Sequence, residues 1–246
     1  MFKEIATSLI VSTLVSSVAF AQGIVPEKTF VDRISVSESF SMVNYKETAP
    51  TLMQFLQGVQ LDITDTLTAS LEVPVYSNGT TDLGAIEMNL IWSAWENSTY
   101  KFALNVGVSS PMDTTYGAGS VDPSVGGVFT ALLPWGGTSF VQSFDYEFVT
   151  DNAFSLPFGS KVTDDILTGT SSILCPIGDQ FAFGANVWQN YTVVTNGQQN
   201  ILAGPNATWT ITPTVVLSAE FAVPVYQNVT SVEQNYVLST NLGIKF

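Results

Sequence analysis

The amino-acid sequence predicts an all-β protein, a closed antiparallel transmembrane β-barrel of about twelve strands. Apolar and polar residues alternate with a period of two along most of the chain. The alternation falls into segments of the length that a tilted strand needs to cross a bilayer, ~9–11 residues. Short and long connections take turns between the segments, as they do in barrels with short periplasmic turns and longer external loops.

Two segments show the alternation clearly. From Tyr100 to Ser109, and again from Asn235 to Phe246, aromatic and aliphatic residues occupy most of one face. The other face carries mostly Asn, Ser and Gly, whereas a soluble β-sandwich would expose many charges. Segment 164–175 is the weakest, because its Thr and Ser residues fit either phase. In chain order the predicted strands are 33–44, 52–63, 67–76, 85–96, 100–109, 122–133, 138–149, 164–175, 180–191, 199–211, 215–226 and 235–246.

The connections give a second signal that does not depend on the alternation. The short connections are 64–66, 97–99, 134–137, 176–179 and 212–214. The longer connections lie near 45–51, 77–84, 110–121, 150–163, 192–198 and 227–234. An even number of strands places both chain ends at the short-turn end, which suits a protein exported from the periplasmic side.

The first residues have the pattern of a secretory signal peptide. Lys3 supplies a basic start, Ile5 to Val18 forms an apolar core, and Ala19-Phe20-Ala21 is an A-x-A cleavage pattern. The run is short for a membrane-spanning helix. We predict export through signal peptide 1–21 and a mature barrel domain over residues 22–246, located in the bacterial outer membrane.

The composition excludes several function classes. The chain has 246 residues, with 7 Lys and Arg against 21 Asp and Glu. So few basic residues do not build the phosphate-neutralising patch that nucleic-acid binding needs. The chain has no His, which removes the usual general base and His-ligated zinc, and its 1 Cys excludes an internal disulfide framework. We therefore expect no enzyme, no cofactor and no metal site.

The charged residues sort onto the polar face of the predicted strands. This sorting is expected of a barrel, because a basic side chain at the lipid midplane costs about 2–4 kcal/mol and an acidic one somewhat less. Glu38 is the exception: it falls on the apolar face, so either a β-bulge re-aims it or the first strand is misphased. The residues predicted to face the lumen are Arg33, Asp62, Glu72, Glu87, Lys101, Asp145, Glu147, Glu220 and Lys245.

The aromatic residues near the strand ends are candidates for the two girdles that flank the lipid-facing band. The candidates near short turns are Tyr100, Trp135, Phe181, Trp209 and Phe246; those near long loops are Tyr146, Phe148 and Tyr191. The terminal Phe246, at the end of an alternating strand, resembles the C-terminal signature that the outer-membrane barrel assembly machinery recognises. We therefore expect outer-membrane lipid and that machinery as partners.

Four stretches resemble one known family. Glu220 is followed by Val223-Pro224-Val225-Tyr226-Gln227, and the chain ends in Leu242-Gly243-Ile244-Lys245-Phe246 after Tyr236. Together with 106–111 and the Gly-rich stretch 116–123, these residues are similar to the outer-membrane transporter family named after the MetA pathway of phenol degradation. The resemblance implies a channel or transporter for small solutes, with aromatic ones among the candidates.

Two carboxylate pairs are the only candidates for acid–base chemistry. Asp145 and Glu147 lie two residues apart on one strand, and Glu72 and Glu87 are expected as diagonal neighbours across hairpin 77–84. Neighbouring carboxylates perturb each other's pKa, but a hydrated acidic wall is the favoured interpretation. With the basic residues near the short-turn end, this predicts a lumen that favours neutral or cationic solutes over anions.

The sequence therefore predicts an outer-membrane channel that passes small solutes by passive or facilitated diffusion. One alternative is a structural or adhesive barrel whose lumen is filled by its own side chains. A further alternative is a secreted, soluble β-sandwich.

Overall fold

The computed structural model describes residues 33–46, 51–111, 114–117, 119–155, 160–193, 197–229 and 233–246. The predicted signal peptide lies outside these residues and stays a prediction. No helix in the described part of the chain is long and apolar enough to cross a membrane.

Twelve long strands and three short ones make up the described secondary structure. The long strands match the twelve predicted segments, with ends that differ by a few residues. The short strands, of three residues each, lie in two long connections: β4 (Thr81–Leu83), β9 (Ala153–Ser155) and β10 (Ser160–Val162). The long strands are β1 (Ile34–Tyr45), β2 (Leu52–Asp62), β3 (Leu67–Ser77), β5 (Glu87–Glu96), β6 (Tyr100–Ser109), β7 (Asp122–Leu132), β8 (Ser139–Glu147), β11 (Ile166–Ile177), β12 (Phe181–Thr192), β13 (Gln199–Thr212), β14 (Val215–Asn228) and β15 (Gln234–Lys245).

The long strands pair in chain order and the sheet closes on itself. Each strand is antiparallel to its neighbours, β15 pairs with β1, and β1 pairs with β2. The pairing of β2 with β3 completes the ring. The prediction of a closed antiparallel barrel is confirmed, and the β-sandwich alternative is wrong because one continuous ladder joins all twelve long strands.

Short and long connections alternate around the ring as predicted. The short turns follow β2, β5, β7, β11 and β13, and three of their glycines have positive φ: Gly136 (59°), Gly137 (80°) and Gly178 (70°). L side chains rarely adopt this conformation, so glycine is the natural residue there. The end that carries these turns is called the short-turn end below, and the opposite end the long-loop end.

The two uncertain points of the sequence pattern have clear outcomes. β11, the weakest predicted segment, pairs along its length with β12, and Thr168, Thr170 and Ser172 point into the barrel. Glu38 is exposed and lies on the outer face, since inward and outward residues alternate regularly along β1 from Glu38 onward. The register shift in β1 lies at Asn44/Tyr45, away from Glu38, so neither the bulge nor the misphasing explanation holds.

The outer face carries an extensive apolar surface. β2, β3, β5 to β8 and β11 to β14 each expose at least one large apolar side chain. A soluble monomer rarely exposes a patch larger than a few hundred Å², whereas hydrocarbon accommodates such a surface. Near the short turns, Phe181 stacks on Trp209 with 5.7 Å between ring centroids, and near the long loops Tyr146 and Phe148 meet at 4.8 Å. These pairs lie where the girdles were predicted.

Candidate functional site: the barrel lumen

One side of the lumen carries five carboxylates, and we call it the acidic wall. These side chains lie on β3, β5, β7 and β8, where alternate residues point inward. Each has a relative exposure of 3% or less. Four of the five were predicted to face the lumen, and Asp122 was not. The members of the acidic wall are Glu72, Glu87, Asp122, Asp145 and Glu147.

Glu72 and Glu87 lie directly opposite each other in the ladder between β3 and β5. We expected these two residues to be diagonal neighbours, and that expectation is wrong. The connection between β3 and β5 contains β4 and the bridge at Gly84, and these contacts change the register in which β5 pairs with β3. On its other side, Glu87 of β5 lies opposite Ser109 of β6, and Ser109 in turn lies opposite Asp122 of β7. Three carboxylates therefore share one row of the wall, and like charges in facing positions repel.

Asp145 meets Asn105 across an intervening glycine. Asn105 Nδ2 donates a hydrogen bond of 3.0 Å to Asp145 Oδ1, although the two residues lie on β6 and β8. Between them, β7 places Gly126, where an added Cβ would lie 2.5 Å from Asp145 Oδ1 and 2.6 Å from Asn105 Oδ1. The missing side chain makes room for the contact. Asp145 Oδ2 and Asn105 Oδ1 have no hydrogen-bond partner among the described residues.

The opposite side of the lumen carries carboxamides, and we call it the amide wall. Asn206 Nδ2 donates to Ser172 Oγ at 3.1 Å and also to Asn186 Oδ1. Asn186 Nδ2 donates to Glu220 Oε2 at 2.6 Å, so the predicted lumen residue Glu220 is part of this network. The members of the amide wall are Asn186, Asn190, Asn200, Asn206 and Gln234.

The predicted basic residues lie at the short-turn end, apart from the acidic wall. Arg33 Nη1 donates to the backbone oxygen of Ile63 at 2.9 Å. Lys101 Nζ lies 3.7 Å from Glu96 Oε2, and the sequence pattern did not single out Glu96. Lys245 is half-buried in the last ladder position of β15. Asp62 accepts a hydrogen bond of 2.9 Å from Thr68 Oγ1 at the same end.

An apolar cluster, here the mouth cluster, lies inside the barrel at the long-loop end. Its members come from seven strands and from loop 110–121, and all are 6% exposed or less. The sequence pattern did not predict this cluster, because aromatic residues were assigned to the lipid face. Tyr76 lies four residues after the inward Glu72 on β3, so both side chains point to the same, inner face. The members are Val43, Tyr45, Leu52, Tyr76, Tyr116, Trp188, Leu202, Ala222 and Val237.

Loop 110–121 supplies Tyr116 to this cluster. The Tyr116 ring lies 4.9 Å from the Tyr76 ring, and its backbone forms a parallel bridge with Gly84. Thr114 Oγ1 donates to Leu83 O at 2.6 Å, which ties the loop to β4. Burial raises the pKa of the Tyr116 phenol, and the nearby Asp82 carboxylate raises it further. The phenol is therefore uncharged at neutral pH.

Comparison with known proteins finds relatives of the fold. No family model and no curated protein matches the chain. Among solved structures, the COG4313 outer membrane channel from Pseudomonas putida F1 is similar with a TM-score of 0.65 and 10% identity, over 91% of this chain and 100% of that one. NanC porin has a TM-score of 0.59 at 10% identity, over 87% and 98%. KdgM porin has 0.57 at 11%, over 86% and 99%.

The chain has the fold of bacterial outer-membrane channels. The full-length coverage of these structures shows that the whole barrel is shared, and the apolar outer face belongs in the outer-membrane bilayer. Within the described residues, no group of three or more His, Cys, Asp or Glu side chains is arranged to hold a metal ion.

Proposed function

We propose that this protein is an outer-membrane channel that passes small neutral or cationic solutes by diffusion and disfavours anions. The observation that carries the proposal is the acidic wall, five inward carboxylates within one closed barrel. A carboxylate removed from water into a dry interior loses several kcal/mol of solvation. Five of them along one wall are best accommodated where water and cations reach the lumen.

The arrangement of charges supports the direction of selectivity. The acidic wall lies in the middle and outer parts of the lumen, and the basic residues lie at the short-turn end, where Glu96 partly offsets Lys101. A pore lined by one sign of charge attracts the opposite ion and repels ions of its own sign. Lining roles for Glu72, Glu87, Lys101, Asp145, Glu147, Glu220, Arg33 and Lys245 are part of this proposal.

The mouth cluster supports solutes with an apolar or aromatic portion. A solute entering from the long-loop end meets Tyr76, Tyr116 and Trp188 before it reaches the polar middle. Aromatic side chains bind other rings by offset or edge-on stacking. The similarity of the chain ending to the MetA-pathway transporter family agrees with such solutes, and membership of that family belongs to the proposal.

The proposal also covers catalysis, assembly and export. We infer no enzyme activity, because the chain has no His to act as the usual general base and a hydrated wall is the favoured role of the inward carboxylates. Phe246 is 53% exposed at the end of β15, where the assembly machinery would contact it. The signal peptide 1–21 would direct export.

Liposome swelling tests the proposal. Proteoliposomes with the refolded barrel are diluted into isotonic solutions of a neutral sugar, a small organic cation or a small organic anion of similar size. We expect swelling with the neutral and cationic solutes and much slower swelling with the anion. Faster swelling with the anion would refute the selectivity, and equal rates to protein-free liposomes would refute the channel.

A second candidate function, a structural barrel with a filled lumen, is favoured by one observation. The inward side chains of both walls and of the mouth cluster are 7% exposed or less, so they cover one another closely. Single-channel recording separates the two functions, because a filled barrel gives no current steps.

A further inference from the structure

One carboxylate stands on the lipid-facing side of the barrel. Glu38 is exposed between the outward Val36 and Phe40 of β1, and its Cα partner on β15 is Leu242. Leu242 lies four positions before the terminal Phe246, which corresponds to roughly 13 Å along a strand at ~3.3 Å per residue. Glu38 therefore lies within the apolar belt and not at its edge.

The neighbour of Glu38 on β2 is also polar. Gln57 is its Cα partner, and both side chains point outward and are exposed. Neither forms a hydrogen bond or an ion pair with any residue that the structure describes. The belt thus contains a carboxylate acceptor and an amide donor side by side, both with unused hydrogen-bonding capacity.

A second outward polar pair shows how the barrel satisfies such groups on its own. On β8 and β11, Ser171 Oγ donates to Gln142 Oε1 at 2.5 Å. Gln142 Nε2 donates to the backbone oxygen of Ser143 at 3.0 Å. Because this pair is internally bonded, it needs no partner from outside. The Glu38–Gln57 pair is different, since hydrocarbon provides neither donors nor acceptors.

We propose that the β1–β2 face is an interface with a second copy of this chain. Around a twofold axis along the membrane normal, each Glu38 would accept a hydrogen bond from the partner's Gln57. A twofold interface joins the same patch of both copies, so the patch must complement itself. A donor and an acceptor in adjacent ladder positions have this property, and apolar Phe55 and Val59 flank them on β2.

Cross-linking in outer membranes tests the interface with both polar residues intact. Val59→Cys is combined with Cys175→Ser, and a short thiol-to-thiol cross-linker is added. Unmodified Cys175 in the wild type is the matched control, because it is exposed on β11, on the far side of the ring. We expect covalent dimers from the Val59→Cys protein and none from the wild type. Absence of dimers, or equal amounts from both proteins, would overturn the proposal.

A second set of variants tests the polar contact itself. In the Val59→Cys background, Gln57→Leu removes the donor and Gln142→Leu changes the internally bonded pair. We expect the first to reduce dimers to the level of the Cys175 control and the second to leave them unchanged, with folding verified by heat-modifiable gel mobility. Equal behaviour of the two variants would overturn the interface. Neither outcome depends on whether the barrel conducts.

Discussion

The two walls of the lumen bury their polar side chains in different ways. In the amide wall, Asn186 connects Asn206 to Glu220, and Asn200 Nδ2 donates to Gln234 Oε1 at 2.9 Å. In the acidic wall, Asp145 Oδ1 accepts one hydrogen bond, from Asn105, and Asp122 Oδ1 accepts bonds from Ser120 Oγ and from the backbone N–H and Oγ1 of Thr150. Asp145 Oδ2 and Asp122 Oδ2 in the acidic wall, and Asn206 Oδ1 in the amide wall, are buried with no partner among the described residues.

The difference follows from the chemistry of the groups. A carboxamide is donor and acceptor at once, so carboxamides can bond one another without water. Ionised carboxylates only accept and repel one another, so they depend on donors from other groups, from water or from cations. We infer that the amide wall contributes mainly to stability and the acidic wall mainly to selectivity. The following variants test this division, from the largest expected change in stability to the smallest.

Trp188→Ala removes the largest side chain on the amide side of the mouth cluster. Trp188 is 6% exposed, and truncation of a buried Trp costs about 3–5 kcal/mol of unfolding free energy. Phe183→Ala is the control, because Phe183 is an outward aromatic on the same strand and 52% exposed. Urea unfolding of the barrel in lipid vesicles should show the larger loss for Trp188→Ala. Equal losses would show that the cluster is not packed.

Gly184→Ala tests the close approach of strands behind the amide wall. An added Cβ would lie 1.7 Å from the backbone oxygen of Ile173, which cannot move without disturbing the ladder. We expect a loss of about 1–3 kcal/mol or more. On β11, the Cβ added by Gly169→Ala would lie 3.5 Å from its nearest atom, the backbone oxygen of Ser143, so this change should be tolerated. If both variants have the same urea midpoint, the close approach does not exist.

Asn186→Leu removes the central member of the amide network. Asn206 and Glu220 each lose a partner, and a buried polar group left unsatisfied costs about 1–3 kcal/mol. The matched change in the other wall is Asp145→Asn, which keeps an acceptor for Asn105 and removes the charge. Thermal unfolding should show destabilisation for the first and little or none for the second. The reverse order would contradict the division between the walls.

Neutralising four of the five carboxylates of the acidic wall should change selectivity with the least effect on stability. The variant combines Glu72→Gln, Glu87→Gln, Asp145→Asn and Glu147→Gln, and its stability should stay within about 1 kcal/mol because repulsion between facing carboxylates is relieved. Its preference for cations, measured as a reversal potential in a salt gradient, should fall towards zero. Asp179→Asn, in the exposed short turn that follows β11, is the control and should keep the preference. An equal fall in both variants would contradict the role of the wall.

The strands and their faces were predictable because alternation is a local property. Each long strand carries its own period-2 pattern, so inward and outward residues follow once its phase is known. In β11 the alternation places Thr168 and Thr170 inside the barrel. The sequence alone left both phases open for this strand.

The contacts between strands were not predictable in the same way. Glu72 faces Glu87 because of the register that loop 78–86 produces, and this register depends on β4 and on the bridge from Gly84 to Tyr116. The contact of Asn105 with Asp145 depends on the glycine that the register places between them. Tyr116 enters the lumen because its loop binds β4, a tertiary contact without a periodic signal.

Single-channel recording in planar bilayers with asymmetric salt shows whether a hydrated, carboxylate-lined path runs through the barrel. We expect steady current steps whose reversal potential shows cation preference, and loss of that preference in the four-residue variant. A silent bilayer with correctly folded protein, or steps that favour anions, would contradict it.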